Sequence, residues 1–462
     1  MIQVGPPRVM TSSVIRAALE LPECDTTARE YRGASCDSRS LQPGELFVAL
    51  SGQRCEGADF LPHAASQGAP GAIVRAGQED PSLPLEYFGV SDPLEALRAL
   101  AAHMRRDTPV HVVAITGSSG KTTVKEMVAC ILGEISSVYR TPGNLNSQVG
   151  LPLTILRAPE NVDIWVLEIG ASEPGEVKRL TGIAAPDHSI ITTVGEAHLD
   201  EFGDVEGVLE EKMELARGTS EEGVLVVGDQ PGILATAASA LRPDAIVAGI
   251  EPQATYQPDE YNVTANEVEF TRNGQNVTLP VGGEHHLRDA LIAAALTEAL
   301  GTPLKMVAHA LEQYKPLGMR GSMRSIGGLA VLADCYNANP DSFRAAIAQC
   351  REVFDGRRRV VFAGSMLELG CFEASAHEDI LHELLRADFE VIAATGLFAA
   401  VECTHAEQVQ IIQETDPYAA WEKFAESLQG DELVLVKGSR GAGLEWVIER
   451  LELRFGGRLS AL

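Results

Sequence analysis

One segment constrains this chain more than any other: Ile115-Thr-Gly117-Ser118-Ser119-Gly120-Lys121-Thr122-Thr123. It follows an apolar run, Val110-His-Val-Val-Ala-Ile-Thr116, and opens a helical pattern from about Lys121. A buried strand that turns through glycines into a helix is the setting of a phosphate-binding loop. The glycines let the backbone approach phosphates, and amides at the helix N-terminus point at them. Lys121 adds a positive charge. The hydroxyl of Thr122 is placed to ligate Mg²⁺, while Ser118, Ser119 and Thr123 fill the remaining loop positions. The strict pattern carries a glycine where this chain has Ile115, so the motif is the shortened T-G-x-x-G-K-T form. The bland reading is a glycine turn with a chance Lys-Thr pair. The strand before and the helix after favour ATP binding.

The same alternation runs through the chain. Strands are expected at 46–50, 71–74, 163–169, 189–194, 223–227, 329–333, 358–363, 389–394 and 433–437. Helical patterns occupy 94–106, 205–217, 287–300, 341–353, 375–386, 417–428 and 443–454. Strand–helix alternation of this kind implies an α/β fold with mostly parallel sheets covered on both faces. A length of 462 residues, at roughly 100–200 per domain, gives about three domains. Their boundaries are expected near 90 and 317: domains at 1–90, 91–317 and 318–462.

Composition narrows the partners. The net charge is −28, and such a field repels a phosphate backbone, so no nucleic-acid partner is expected. An anionic substrate then needs a local basic cluster or a metal ion. The eight cysteines (24, 36, 55, 130, 335, 350, 371 and 403) are scattered singly, which reads as reduced thiols. Residues Met1–Arg8 contain no apolar signal-like core, and no uncharged apolar run approaches the ~18 residues of a membrane span. A cytoplasmic protein without a membrane span is expected.

Three central residues stand out. Glu168 closes the strand 163–169, where open α/β sheets bind ligands; it is either a Mg²⁺ ligand or an exposed strand-end charge. His198 follows the strand 189–194 and is either structural or functional. Lys212, within Glu210-Glu-Lys-Met-Glu214, reads as a solvated lysine making local ion pairs.

Taken together, the loop, Thr141-Pro-Gly-Asn144-Leu-Asn146, Glu168-Ile-Gly170 and His198 with Lys212 resemble the central domain of the Mur ligases, ATP-dependent amide-forming enzymes of peptidoglycan synthesis. The string Asp334-Cys-Tyr336-Asn337-Ala-Asn339-Pro340-Asp-Ser342 resembles the branch of that family whose substrates are UDP-N-acetylmuramoyl-tripeptide and D-alanyl-D-alanine. Asp37-Ser38-Arg39, Pro43-Gly44-Glu-Leu-Phe47-Val-Ala-Leu-x-Gly52 and Lys437-Gly-Ser439-Arg440-Gly extend the likeness over nearly the whole chain. The resemblance implies a small α/β N-terminal domain for the UDP-linked substrate, a central P-loop ATPase-like domain, and a Rossmann-like C-terminal domain for the amino substrate. It implies Thr122, Glu168, His198 and Lys212 as ligands of two Mg²⁺ ions, with Lys212 carried as a carbamate. That reverses the reading of Lys212 made from its neighbours, since carbamylation turns a cation into an oxygen anion that hard Mg²⁺ accepts.

By the same resemblance, Asn144, Arg320, Asp334, Asn337 and Asn339 attend the nucleotide. Ser38, Arg39 and Asn146 attend the UDP-linked substrate, and the enzyme is expected to be a monomer. The chain departs from the family at Gly283-Glu-His285-His286-Leu-Arg-Asp289, where two asparagines are replaced, at Ser147, and at Ser365 in Gly364-Ser365-Met-Leu-Glu368. His285 and Asp289 are still expected at the nucleotide. Three other readings stand beside this one. A Mur ligase adding a different amino acid is disfavoured by Tyr336-Asn-Ala-Asn-Pro340. A folate polyglutamate ligase lacks the Asp37-Ser-Arg39 unit. A non-catalytic nucleotide-binding partner would have lost Lys121, Glu168 or Lys212, and all three are present.

Overall fold

Short runs of Val, Ile, Leu and Ala bury completely as strands because helices cover both faces of the sheets they form. The computed structural model describes residues 5–23, 28–52, 55–197, 199–264, 266–316, 318–353, 356–402 and 409–456. Among them, four parallel strands form an N-terminal sheet in the order Ala34–Ser35, Leu46–Val48, Gly71–Arg75, Glu86–Val90. A six-stranded sheet follows in the order Ile246–Ala248, Leu225–Gly228, His188–Ile191, His111–Thr116, Ile164–Glu168, Val138–Arg140. The mixed α/β architecture with mostly parallel strands is the one expected.

Two compact units divide the chain. The first comprises Met1–Thr116, Leu132–Ile190 and Met213–Leu225. Leu41, Phe47, Ala64 and Val74 build the core under its N-terminal sheet. Its helix Pro93–Arg106 begins where Asp92 accepts from the amides of Leu94 and Glu95, with Pro93 at the first position. That cap contributes about 1 kcal/mol. The helix buries Leu97, Leu100, Ala101 and Met104 at helical spacing.

The second unit comprises Gly117–Ile131, Ile191–Lys212 and Val226–Leu462. Its large sheet runs Ser322–Ile326, Leu329–Asp334, Leu433–Lys437, Arg359–Ala363, Phe389–Thr395, Gln410–Glu414, parallel except for the first strand. Helices Pro340–Val353 and Glu373–Arg386 pack on one face through Phe343, Ile347, Ile380 and Leu384. Helices Pro417–Ser427 and Glu445–Phe455 pack on the other through Phe424, Val447 and Leu451. The neighbouring strands Leu329–Asp334 and Leu433–Lys437 therefore release the chain to opposite faces. Between their carboxyl ends lies the crevice where open α/β sheets take ligands.

Helix Val205–Arg217 and strand Leu433–Lys437 have the expected bounds, and the other expected elements differ at their ends by a few residues. One difference matters: the strand expected over 189–194 stops at Ile191, and residues 192–195 turn toward the phosphate loop instead. An antiparallel sheet of Glu260–Val263, Val268–Arg272 and Gln275–Leu279 was not expected. Its signal was present, because Asn273 and Gly274 take φ of 48° and 75° between paired Arg272 and Gln275. Asn-Gly is the usual two-residue hairpin turn.

Candidate active site

The phosphate loop is held by its neighbours in the second unit. Thr193 accepts twice, from the Ser118 amide through its carbonyl (2.9 Å) and from the Ser119 amide through Oγ1 (3.0 Å). Ser118 Oγ accepts from the Gly195 amide at 2.9 Å, and Thr192 Oγ1 donates to the Ser119 carbonyl. Only glycine fits two positions. A Cβ on Gly117 (φ 148°) would lie 2.0 Å from Thr192 Oγ1, and one on Gly120 (φ 79°) would lie 2.5 Å from Asp289 Oδ1. Lys121 Nζ donates to the carbonyls of Gly117 (2.6 Å) and Ser118 (3.2 Å), which places its charge over the loop. Thr122 is buried in the first turn of helix Lys121–Leu132, and Thr123 is half-buried beside it.

Residues far along the sequence reach the same loop. Asn339 Nδ2 donates to Ser119 Oγ at 3.3 Å, while Asn339 Oδ1 accepts from the Ser342 amide at 2.9 Å. Asp341 Oδ2 accepts from the Glu196 amide at 3.2 Å, and Arg344 bridges Glu196, Asp341 and Glu383. Asp334 pairs with Lys437, because parallel register sets those two strand ends side by side. Asp334 Oδ1 also accepts from the Gly321 amide at 3.2 Å, next to Arg320. The Arg320 guanidinium lies 3.7 Å over the ring of Tyr336, and Asn337 is exposed.

Helix Glu284–Ala299 brings three more expected residues together. His285 and His286 stack with ring centroids 4.1 Å apart, and His286 Nδ1 bonds to the Gly282 carbonyl at 2.7 Å. Burial holds both imidazoles below their usual pKa, His285 well below. Asp289 is buried against Gly120, and desolvation raises its carboxyl well above the usual range.

Lys212 corrects the reading made from its neighbours. It is not solvated: its exposure is 2% and its ammonium lies 5.7 Å from the Phe202 ring. His198 lies outside the described residues.

In the first unit, Glu168 corrects the alternative of an exposed strand-end charge, since its exposure is 1%. Its Oε1 accepts from Asn146 Nδ2 at 2.7 Å, and its amide donates to Thr141 Oγ1 at 2.9 Å. Asn146, expected at the UDP-linked substrate, thus also orients a carboxylate expected at the metal. Asn144 is exposed in the turn just before it. Ser38 is buried, with Oγ 2.9 Å from His63 Nδ1. Arg39 is 85% exposed and binds Asp37 through two nitrogens, and that guanidinium pulls the Asp37 pKa down to about 2.

Thr122 and Glu168 offer hydroxyl and carboxylate oxygen, the hard donors that Mg²⁺ takes. Among the described residues, no three His, Cys, Asp or Glu side chains cluster as a metal site. No described helix is long and apolar enough to cross a membrane.

Three family domains match in order. The Mur ligase family catalytic domain covers residues 30–105, the Mur ligase middle domain 115–297, and the Mur ligase glutamate ligase domain 319–440. The chain belongs to the Mur ligase family. This Mur ligase is 32% identical to the UDP-N-acetylmuramoyl-tripeptide–D-alanyl-D-alanine ligase of Bacillus subtilis (strain 168), over 95% of this chain and 97% of that one. Its fold is similar to that of MurF from Acinetobacter baumannii, with TM-score 0.86, 28% identity, and coverage of 97% of this chain and 100% of that one. MurF ligase from Thermotoga maritima, solved in complex with ADP, is similar at TM-score 0.81 and 27% identity, over 92% and 98% of the two chains.

Sequence reasoning passed over Thr192, Thr193 and Gly195, which clasp the loop. The available signal was a run of hydroxyls and a glycine after Ile190-Ile191, at a strand end where ligands bind. It also left Tyr336 and Arg440 as motif letters without a role.

Proposed function

We propose that this Mur ligase joins D-alanyl-D-alanine to UDP-N-acetylmuramoyl-tripeptide, using ATP, in the cytoplasmic synthesis of peptidoglycan precursors. The observation that carries this reading is the reach of Asn339, from the string Tyr336-Asn-Ala-Asn-Pro340, to Ser119 of the phosphate loop. A motif of the amino-substrate branch and the nucleotide loop share one hydrogen bond.

In the first step an oxygen of the tripeptide's terminal carboxylate attacks the γ-phosphorus. The bond to the β-bridging oxygen breaks, and an acyl phosphate and ADP result. The neutral amine of D-alanyl-D-alanine then adds to the acyl carbon, and the tetrahedral adduct expels phosphate and loses the amine proton. The reactants of the first step are both anions, so catalysis is charge neutralisation and positioning. Lys121 and Arg320 supply the positive charge against the −28 background. Gly117, Ser118, Ser119 and Gly120 form the loop that receives the phosphates, with the Ser118 and Ser119 amides engaged by Thr193 and with Thr122 and Thr123 in the first helical turn. Asn144, His285, Asp289, Asp334, Asn337 and Asn339 line the nucleotide.

Thr122, Glu168, His198 and a carbamylated Lys212 are the residues that would hold two Mg²⁺ ions, which would supply charge neutralisation at the phosphates. The carbamate forms when neutral Lys212 Nζ adds to carbon dioxide and releases a proton. Ser38, Arg39 and Asn146 contact the UDP-linked substrate. These roles assign residues 1–90 to that substrate, 91–317 to ATP and 318–462 to the amino substrate, in a monomer. The test is ADP release that requires both UDP-N-acetylmuramoyl-tripeptide and D-alanyl-D-alanine. ADP release driven instead by a single L-amino acid or a folate acceptor would replace this reading.

A further inference from the structure

We propose that Arg440, held against Tyr336, is the receptor for the terminal carboxylate of D-alanyl-D-alanine. The proposal rests on the function given above and adds the group that selects the amino substrate.

Tyr336 stands just past the end of strand Leu329–Asp334, and Arg440 just past the end of Leu433–Lys437. These parallel neighbours release the chain to opposite faces of the sheet, so the two residues border the crevice between the strand ends. Two cations meet on one ring there. The Arg320 guanidinium lies 3.7 Å from the Tyr336 centroid. That of Arg440 lies 5.3 Å away, and its Nη1 donates to the Tyr336 hydroxyl at 3.3 Å.

Neither arginine has a carboxylate within ion-pair distance among the described residues. In a chain with 65 acidic and 37 basic residues, a pair of unneutralised guanidiniums at a strand-end crevice is a site for an anion. Like charges gathered at one aromatic ring repel, and an incoming anion relieves that repulsion.

The surroundings separate the two arginines. Arg320 precedes Gly321, which approaches His286 on the helix whose Asp289 rests on Gly120 of the phosphate loop. Arg440 instead follows Ser439, whose Oγ donates to the Ala338 carbonyl and accepts from the Leu367 amide. It is exposed, so its remaining fork of N–H donors faces solvent. A planar fork matches a carboxylate through two parallel hydrogen bonds. D-alanyl-D-alanine must present its amine to the acyl phosphate, which leaves its carboxylate as the anionic handle.

The test compares D-alanyl-D-alanine with D-alanyl-D-alaninamide, which keeps the amine and lacks the carboxylate. Wild-type kcat/KM should favour the acid by about 100-fold, the scale of a charge-assisted pair of hydrogen bonds. Arg440→Gln should shrink that preference to within about 3-fold, while the KM values for ATP and the UDP-linked substrate shift by less than about 2-fold. Arg440→Lys, which keeps the charge without the fork, should retain an intermediate preference. It serves as the deciding variant should Arg440→Gln fold poorly. A merely structural arginine would lower both amino substrates equally. An unchanged acid-to-amide ratio in either folded variant, or a rise confined to the KM for ATP, overturns the proposal and leaves the ligase reading standing. A wild-type enzyme inactive with D-alanyl-D-alanine overturns both.

Discussion

The phosphate loop and the Asp37-Ser38-Arg39 segment are both proposed to receive a phosphorylated ligand, yet they are held in opposite ways. Around Lys121 the loop is fixed by hydroxyls and amides from residues 192–195, more than 70 positions away, and by Asn339, 220 positions away. Among the described residues Arg39 is bound by Asp37, two positions away, and its side chain is 85% exposed. Long-range clamping in a buried site keeps a charge where a reacting phosphate will be, and low dielectric makes that charge strong. A local pair in water can bind a ligand but does little for a transition state. Substitutions in the first region should therefore strike turnover, and those in the second should strike substrate affinity.

The sharpest way to break this contrast is Lys121→Ala. Turnover should fall by ~100-fold or more, as when a preorganised group at developing charge is removed, with the melting temperature nearly unchanged. A purified variant retaining over about a tenth of wild-type rate, a loss under ~1.4 kcal/mol, sinks the assignment of the loop.

Lys212→Ala should be almost as damaging, because the carbamate would be lost from a buried position. Acetate should restore part of the rate. Bicarbonate should revive wild type depleted of carbon dioxide, faster at higher pH where the amine is neutral, and should not revive the variant. A fully active variant would mean that Lys212 merely packs beneath Phe202.

Arg39→Ala tests the exposed region. We expect the KM for the UDP-linked substrate to rise about 10-fold, the usual cost of one charged contact, while that for D-alanyl-D-alanine and the melting temperature stay put. Equal changes in both KM values would reject the division of labour.

The smallest effect belongs to Asp289→Asn. The folded pKa of Asp289 lies well above its unfolded value near about 3.9, so the unfolded chain ionises first as pH rises. The contribution of Asp289 to stability is thus fullest below about pH 4 and declines as pH climbs toward the folded pKa. The asparagine variant lacks this decline. Its melting temperature should exceed that of wild type at pH 7 by on the order of 1 °C, with the gap closing toward pH 4. A gap independent of pH would show that Asp289 is not held neutral.

Much of the fold could be read before any coordinates. Continuous apolar runs such as Val112–Ile115 and Val360–Phe362 signal strands buried on both faces, and the amphipathic spacing of 205–217 yields that helix end to end. The hairpin at Asn273-Gly274 escaped because its strands Val268–Arg272 and Gln275–Leu279 bury only two apolar side chains each, so the turn was a stronger signal than the flanks. Site residues divided along a similar line. The loop could be identified because one continuous segment supplies glycines, lysine and hydroxyl at fixed spacing. Lys212 was misread from its acidic neighbours, because local sequence reports charge and not burial.

The sequence by itself determined the chemistry on offer: a shortened phosphate loop, a Mur ligase order of motifs, and an acidic chain that needs local cations for anionic substrates. Only the tertiary structure decided which distant residues share a site. Parallel register sets Asp334 beside Lys437, the turn after Ile191 delivers Thr192 and Thr193 to Ser119, and two strand ends bring Arg440 to Tyr336. The physical reason is that strand order in a parallel sheet is set by crossovers whose packing involves the whole core, so residues over a hundred positions apart become neighbours with no trace in local spacing.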